Sequence, residues 1–274
     1  MVELLKIEWM KLKNYTAFKV LAIFFGLGVI VTNYVVYIIN REVVQQIPAA
    51  GMVSFTPPYS FAMTWHTTSY ASGCILLLPA MLLAILITNE FGFKTHRQNI
   101  IDGLTRQQFI GVKIMLALIF ALVSTVLVFF TALVFGWSSG TSFSFAGIAN
   151  VGYFFLKALT YNLFAVLIAV LIKRTGFAIG LLFIYMGAEN FISQLLWGLS
   201  IYLKREKSTD LGNMGDYLPL NAVDGLLEFP ENTIKSLSKT IMPQDITWLV
   251  FALAIIYLAL FFLWAKRKFV KSDL

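Results

Sequence analysis

Residues 111–135 read GVKIMLALIFALVSTVLVFFTALVF, an apolar run interrupted by one charge, Lys113. A bilayer's hydrocarbon core is about 30 Å thick and takes roughly 20 residues of helix to cross. This run is long enough to do so. Inside hydrocarbon every backbone donor and acceptor needs an internal partner, which leaves helices or a closed barrel, and the alternating apolar and polar strands of a barrel are absent. Five more stretches read the same way: Phe18–Ile39, Ser69–Ile87, Ala149–Ile172, Phe177–Ile201 and Thr247–Trp264. The expected fold is an all-α polytopic membrane protein with six transmembrane helices in a single domain, residues 1–274.

Composition agrees. Of 274 residues, 59% are hydrophobic and only 13% charged, with a mean hydropathy of +0.79. Soluble domains carry about 25% charged residues, so a cytosolic globule and a disordered chain are both excluded. The single cysteine, Cys74, rules out a disulfide framework, a CxxC redox pair and a thiolate zinc cluster. His66 and His96 are too far apart to give a ligand spacing. GxxxxGK[ST], GxSxG and HExxH are absent, as are paired intramembrane aspartates. The chain therefore has no nucleotide cradle of its own and lacks the signatures of serine, zinc and aspartyl membrane hydrolases. No enzyme activity is expected of it. The first apolar run follows a charged segment and precedes no small-residue cleavage pattern, so a cleavable signal peptide is not expected.

Lysines and arginines set the orientation. Fourteen of the 21 fall on the side that holds the N-terminus, the 88–113 connection, the Lys173-Arg174 turn and the C-terminal tail. Six fall on the other side, and Lys157 lies within a span. The positive-inside rule places both termini in the cytoplasm. The excess positive charge then faces an anionic leaflet, so nucleic-acid binding is not expected.

Outside the spans, residues 2–14 place Val2, Leu5, Trp9 and Leu12 on one helical face flanked by Lys6 and Lys13. This reads as an amphipathic helix in the inner interface; a plain extension of the first span is the alternative. In the cytoplasmic connection 88–110, Thr95-His-Arg-Gln98 and Thr105-Arg-Gln-Gln108 both match the capping box. Gly103 stands between them, where a left-handed cap is needed. The spacing predicts a short helix over His96–Asp102, a break, and a new helix that becomes the third span. From the residues alone, a docking element and an ordinary capped loop fit equally well. On the outer side, 41–68 is broken by Pro48 and the Pro57-Pro58 pair. The loop 202–246 is long enough to be functional, and Asn221–Asp224 behind Pro219 reads as a short helix within it.

Lys157 and Glu189 are the ionisable groups, tyrosines aside, deep within the spans. Isolated charges there are costly and mark functional sites by default. Their depths differ by about 6 Å on neighbouring antiparallel spans, so they are expected to pair. Tyr161 shares a face with Lys157, and Tyr185 and Ser193 share one with Glu189. A structural ion pair, the lining of a substrate path and an ion relay are the readings available. Gly176 and Gly180 form a GxxxG in the fifth span, and Pro79 is expected to kink the second.

Several stretches together resemble the membrane subunit of ABC-2-type (type 2 exporter) ABC transporters, nearest to small bacterial permeases of the bacitracin and lantibiotic self-protection kind. They are the opening Leu4–Lys13, Asn89-Glu90-Phe91-Gly92 after the second span, Arg97–Arg106 leading to Lys113, and Tyr217–Ala222 before the last span. The resemblance covers nearly the whole chain. It implies a cytoplasmic coupling helix, with Glu90, Thr95, Arg97, Gln98, Asp102, Gly103 and Arg106 at the docking region for a separate ATP-binding subunit. It also implies a second permease copy, ATP and magnesium held by the partner rather than by this chain, export of an amphiphilic substrate, and residence in a bacterial cytoplasmic membrane. The competing expectations are a secondary transporter driven by an ion gradient through Lys157 and Glu189, and a membrane enzyme or structural assembly factor.

Overall fold

The computed structural model describes residues 2–39, 59–207, 209–227 and 246–271. Among them the helices are α1 (Val2–Lys13), α2 (Thr16–Ile38), α3 (Phe61–Gly73), α4 (Leu77–Gly92), α5 (Thr95–Ile101), α6 (Arg106–Ser138), α7 (Ala149–Ile172), α8 (Thr175–Lys207), α9 (Asn221–Asp224) and α10 (Thr247–Lys271), with a 3-10 turn at Met214–Tyr217. No strand occurs among the described residues. Five helices are long and apolar enough to cross a membrane, and there are six crossings when the bent pair α3–α4 counts as one. This is a multi-pass, all-helical membrane protein.

α7 is the axis of the bundle. Its apolar window is 78% buried, against 17–28% for the equivalent windows of α2, α6, α8 and α10. α4, α6 and α10 pack around it, while α2 and α8 lie outermost. The outer helices turn many large apolar side chains outward, including Phe24, Val123, Phe191 and Trp248, as helices that meet lipid do.

The second crossing departs from the expected Ser69–Ile87. It starts at Phe61, so residues 61–68 belong to α3 and not to an outer loop. That half was hidden because its buried face is polar: Thr64, Thr67, Thr68, Ser69 and Ser72 are all fully inaccessible. Short hydroxyls can turn back on their own helix, as Thr67 does by donating to Met63 O. Others reach across, Thr64 donating to Ala132 O on α6 and Asn33 on α2 donating to Ser72 Oγ. The expected kink is present, a bend of 43° across Cys74–Leu76. Pro79, in the first turn of α4, has no N–H to return to Ile75 O, and its ring excludes a straight continuation. Pro48, Pro57 and Pro58 lie outside the described residues.

At the end that holds α1, two connections are tightly defined. α5 closes in a Schellman motif, with Gly103 at φ +100°, Leu104 N–H donating to Asn99 O and Gly103 N–H to Ile100 O. α6 opens with the expected capping box, in which Gln108 N–H donates to Thr105 Oγ1 and Thr105 N–H to Gln108 Oε1. The first expected box does not form. Thr95 is already helical, Lys94 occupies the cap position in the left-handed conformation, and no side chain caps the helix.

Where α3 crosses α6, a Cβ built on Gly136 would stand 2.7 Å from the Phe61 ring. Gly136→Ala is expected to cost on the order of 1–3 kcal/mol through overpacking. Gly152→Ala, with open space on the surface of α7, should be neutral or stabilising. Unfolding of the two variants in the same detergent compares them directly.

Candidate functional site

Two polar centres stand out, one at each end of the bundle. At the α1 end, Lys113 enters from the second turn of α6 with its side chain 1% exposed. Its Nζ lies 2.7 Å from Glu8 Oε2 on α1 and 2.7 Å from Glu90 Oε1 on α4. Lys11 closes the arrangement from the rim, 2.9 Å from Glu8 Oε1 and 3.0 Å from Glu90 Oε1. Two cations alternate with two carboxylates, so the group is neutral overall, and the Phe109 ring covers Lys113 at 5.1 Å. Burial alone would push the Glu8 carboxyl up, but Lys113 and Lys11 together outweigh it and hold Glu8 below its ordinary value of 4.5. Lys11 is desolvated as well, yet its two carboxylates raise it above 10.5.

The inner face of α1 is therefore Leu5, Glu8 and Leu12, not the expected stripe through Trp9. Trp9 is 57% exposed and meets Phe18 edge to face. A charge sits where an apolar residue was expected because Lys113 lies beneath that position.

From the same knot hangs α5. His96 is buried, with Nδ1 3.0 Å from Glu90 O and its ring against Phe91. The Thr95 hydroxyl donates to Glu90 O at 3.4 Å. The docking residues expected from the sequence separate into two groups. Arg97, Gln98, Asp102 and Gly103 are exposed, with Gln98 donating to Asp102. Glu90 instead faces inward to the lysines, and Arg106 donates to Val270 O at the end of α10. Those two brace the platform and are not presented by it. Phe93 and Ile101 project from this end at 79% and 77% exposure. Between α1, α5 and the start of α6 lies a cleft of about 490 Å³, with Glu3, Glu8, Lys11, Asp102, Gln108 and Lys113 in its wall.

The second centre corrects the expected pairing of Lys157 with Glu189. Lys157 Nζ lies 3.1 Å from Asp224 Oδ1, and Tyr161 OH donates to both oxygens of that carboxylate. Glu189 Oε1 accepts from Leu220 N–H, Asn221 N–H and the Asn221 side chain. The cause is the segment between α8 and α10. It folds back into the bundle and brings its own carboxylate and its own helix N-terminus between the two charges. Ala222, Val223 and Leu227 of that segment are buried. Ser193 packs against the backbone of Gly215, where a Cβ would stand 2.6 Å from its hydroxyl. Tyr185 lies against Phe164 at 4.6 Å. Thus Lys157, Tyr161, Glu189 and Ser193 grip an inserted loop. Residues 228–245, the rest of the expected outer loop, lie outside the described residues.

Glu8, Lys11 and His96 in the first centre and Asp224 in the second were not singled out in advance. A usable signal existed for Glu8, which interrupts the Leu5–Leu12 face and sits three residues before Lys11. None existed for Asp224, since nothing local tells which charge a loop residue will meet. Compared with family models and with curated proteins, the chain matches none.

Removing one member of a buried charge group leaves the others uncompensated. Lys113→Met, which leaves two carboxylates to share Lys11 alone, is expected to cost about 3–5 kcal/mol, read as a loss of thermal stability in detergent. Glu8 titrates below its unfolded value, so its contribution is full above about pH 4.5 and fades as pH falls through the lower, folded value. Lys11 titrates above its unfolded value, so its share is full below about pH 10.5 and fades as pH rises past that. Docking of α1, followed by Trp9 fluorescence, should be flat between these limits and loosen first in acid. At the other centre, Asp224→Asn should destabilise more than Glu189→Gln, because it alone leaves a lysine unpaired. Equal losses would contradict the assignment of partners.

Proposed function

We propose that the chain is the membrane-spanning permease of an ATP-driven ABC-2-type exporter that moves an amphiphilic substrate outward. In this reading both termini, α1 and α5 lie on the cytoplasmic side of a bacterial cytoplasmic membrane. A separate ATP-binding subunit, which holds ATP and magnesium, docks on α5. Two permeases and two ATPases make the working assembly, and this chain performs no catalysis itself.

One observation carries the reading. α5 is short, capped and exposed, and it is fixed to the crossing helices through the Glu8–Lys11–Glu90–Lys113 knot. A force on α5 reaches α4 through its covalent link and the His96–Glu90 contact. Through Lys113 it reaches α1 and α6 as well. Phe93 and Ile101 would give a partner apolar anchors, with Lys94, Arg97 and Asp102 as a charged rim around them. A helix of this kind on a chain without a nucleotide cradle suits energy delivered from outside. The positive-inside asymmetry supports the orientation.

The ion-gradient alternative rested on a Lys157–Glu189 pair. It loses that support because Lys157 is paired with Asp224.

With an ABC-type ATP-binding subunit co-expressed, Ile101→Glu and Arg97→Glu are expected to reduce co-purification about tenfold or more, the effect of losing roughly 1.4 kcal/mol or more of contact. ATPase stimulation by the permease should fall with it, while the fold, read by thermal stability, stays intact. Full co-purification and full coupling in both variants would overturn the reading.

A further inference from the structure

At the α1 end of the bundle, the start of α6 and the end of α10 enclose a groove of about 510 Å³. Contacts within the chain hold its two walls together. The Phe109 ring stacks on Phe269 at 4.8 Å, and Arg106 donates to Val270 O at 3.0 Å. On α6, Gln107, Ile110, Gly111 and Ile114 share one face by their spacing of three and four residues, and on α10 Phe262 and Lys266 stand one turn apart. The groove is therefore polar at its mouth and apolar along its floor, which runs roughly 10 Å up α6 from Gln107 to Ile114.

The mouth is rich in donors. Lys266 is exposed and, among the described residues, makes no ion pair or hydrogen bond. Gln108 Oε1 is taken by the Thr105 hydroxyl and the Thr105 N–H, which leaves the amide NH2 of Gln108 to donate. Gln107 is exposed beside it. No carboxylate lines this groove among the described residues, and Arg267, Lys268 and Lys271 follow on α10. The cleft between α1 and α5 has the opposite character, with Glu3, Glu8 and Asp102 in its wall. Of the two hollows, the one against α10 suits an anion. Its depth is set by Trp264, 56% exposed and two residues before Lys266, since such rings lie where hydrocarbon meets headgroups.

We propose that this groove holds one anionic phospholipid from the leaflet at the α1 end, the cytoplasmic one in the reading above. Its phosphate lies at Lys266, Gln107 and Gln108, and an acyl chain runs over Ile110, Ile114 and Phe262. Basic hollows between crossing helices on the cytoplasmic side hold headgroups of this kind. A free phosphate would satisfy the donors but gain nothing from the apolar floor. A zwitterionic lipid would cover the floor but bring its own cation to Lys266. An anionic lipid answers both. Bound there, it joins α6 to α10 one to two turns from Lys113 and so stiffens the stretch of α6 on which the charge knot depends. The inference uses the membrane fold and the sidedness of charge, and does not use ATPase docking on α5.

The full chain in detergent, without any ATPase, tests it. Added phosphatidylglycerol is expected to raise the thermal unfolding midpoint, whereas phosphatidylcholine and soluble glycerol 3-phosphate are not. Native mass spectrometry should find one phosphatidylglycerol retained per chain. Lys266→Glu should raise the lipid concentration needed about tenfold, and Lys266→Gln should raise it less. The lipid-free midpoint should stay unchanged in both, because Lys266 has no partner to lose. Ile114→Trp, which fills the floor, should lower retention with every charge left in place. Lys268→Glu, two residues on and turned away around α10, should leave binding nearly unchanged. Equal stabilisation by phosphatidylcholine or glycerol 3-phosphate, equal loss in Lys268→Glu, or full retention in Lys266→Glu would each overturn the proposal. So would a lipid-free dimer that Lys266→Glu separates, since a second copy would then occupy the groove. ATPase binding through α5 is read separately by pull-down, and its success or failure alters none of these outcomes.

Discussion

A lysine ammonium buried to 1% exposure is tolerable only if its charge is fully answered, and Lys113 is answered from two helices at once. Glu8 comes from a helix that lies outside the bundle, and Glu90 comes from the end of a crossing. Desolvating these groups is expensive, and the attraction between them compensates only if the geometry is held. The knot therefore fixes where α1 lies, where α4 ends and how α6 enters the bundle. The placement of α5 follows, because the Glu90 main chain also receives His96 and Thr95.

The other end uses the same logic with different donors. Lys157 sits about 12 Å along α7 from its start at Ala149, and Asp224 is brought to it by the chain itself. Tyr161 supplies two further hydrogen bonds to that carboxylate. Glu189 receives backbone and side-chain N–H groups and no cation. One centre is a closed set of charges between helices. The other is a clasp on a segment that leaves and re-enters the bundle. Their mechanical consequences differ accordingly: the first transmits displacement among α1, α4, α5 and α6, and the second holds the 209–227 segment against α7 and α8.

The crossings were legible because a single quantity, apolar length, defines them: four of the five long helices enclose the expected stretches, and α2 ends one residue before the expected Ile39. α3 was not, since its first half buries hydroxyls that hydropathy counts as surface. Local motifs were legible only where the chain alone decides the outcome. Gly103 and the Thr105–Gln108 box depend on neighbours within a few residues, and both form. Thr95 fits the same pattern, but Lys94 takes the cap position and the Thr95 hydroxyl goes to Glu90 O. Charge pairing is not local. Lys113 and Glu8 are 105 residues apart, and two helices of known depth still left the partner of Lys157 undetermined. Depth alone pointed to Glu189. The intervening loop decided for Asp224.

α8 brings these strands of argument together. Glu189 and Asn190 are consecutive and project about 100° apart around the helix, one clasping the inserted loop and the other exposed. A helix that is 17% buried over its apolar window is held by its packing on α4 and α7 and by the loop it grips. Interiors move between discrete packings and do not deform continuously. A rotation of α8 about its own axis must therefore carry Glu189 with it and strain the three hydrogen bonds that fix Leu220 and Asn221. The outward face of α8 and the position of the loop are thus geometrically linked through a single helix.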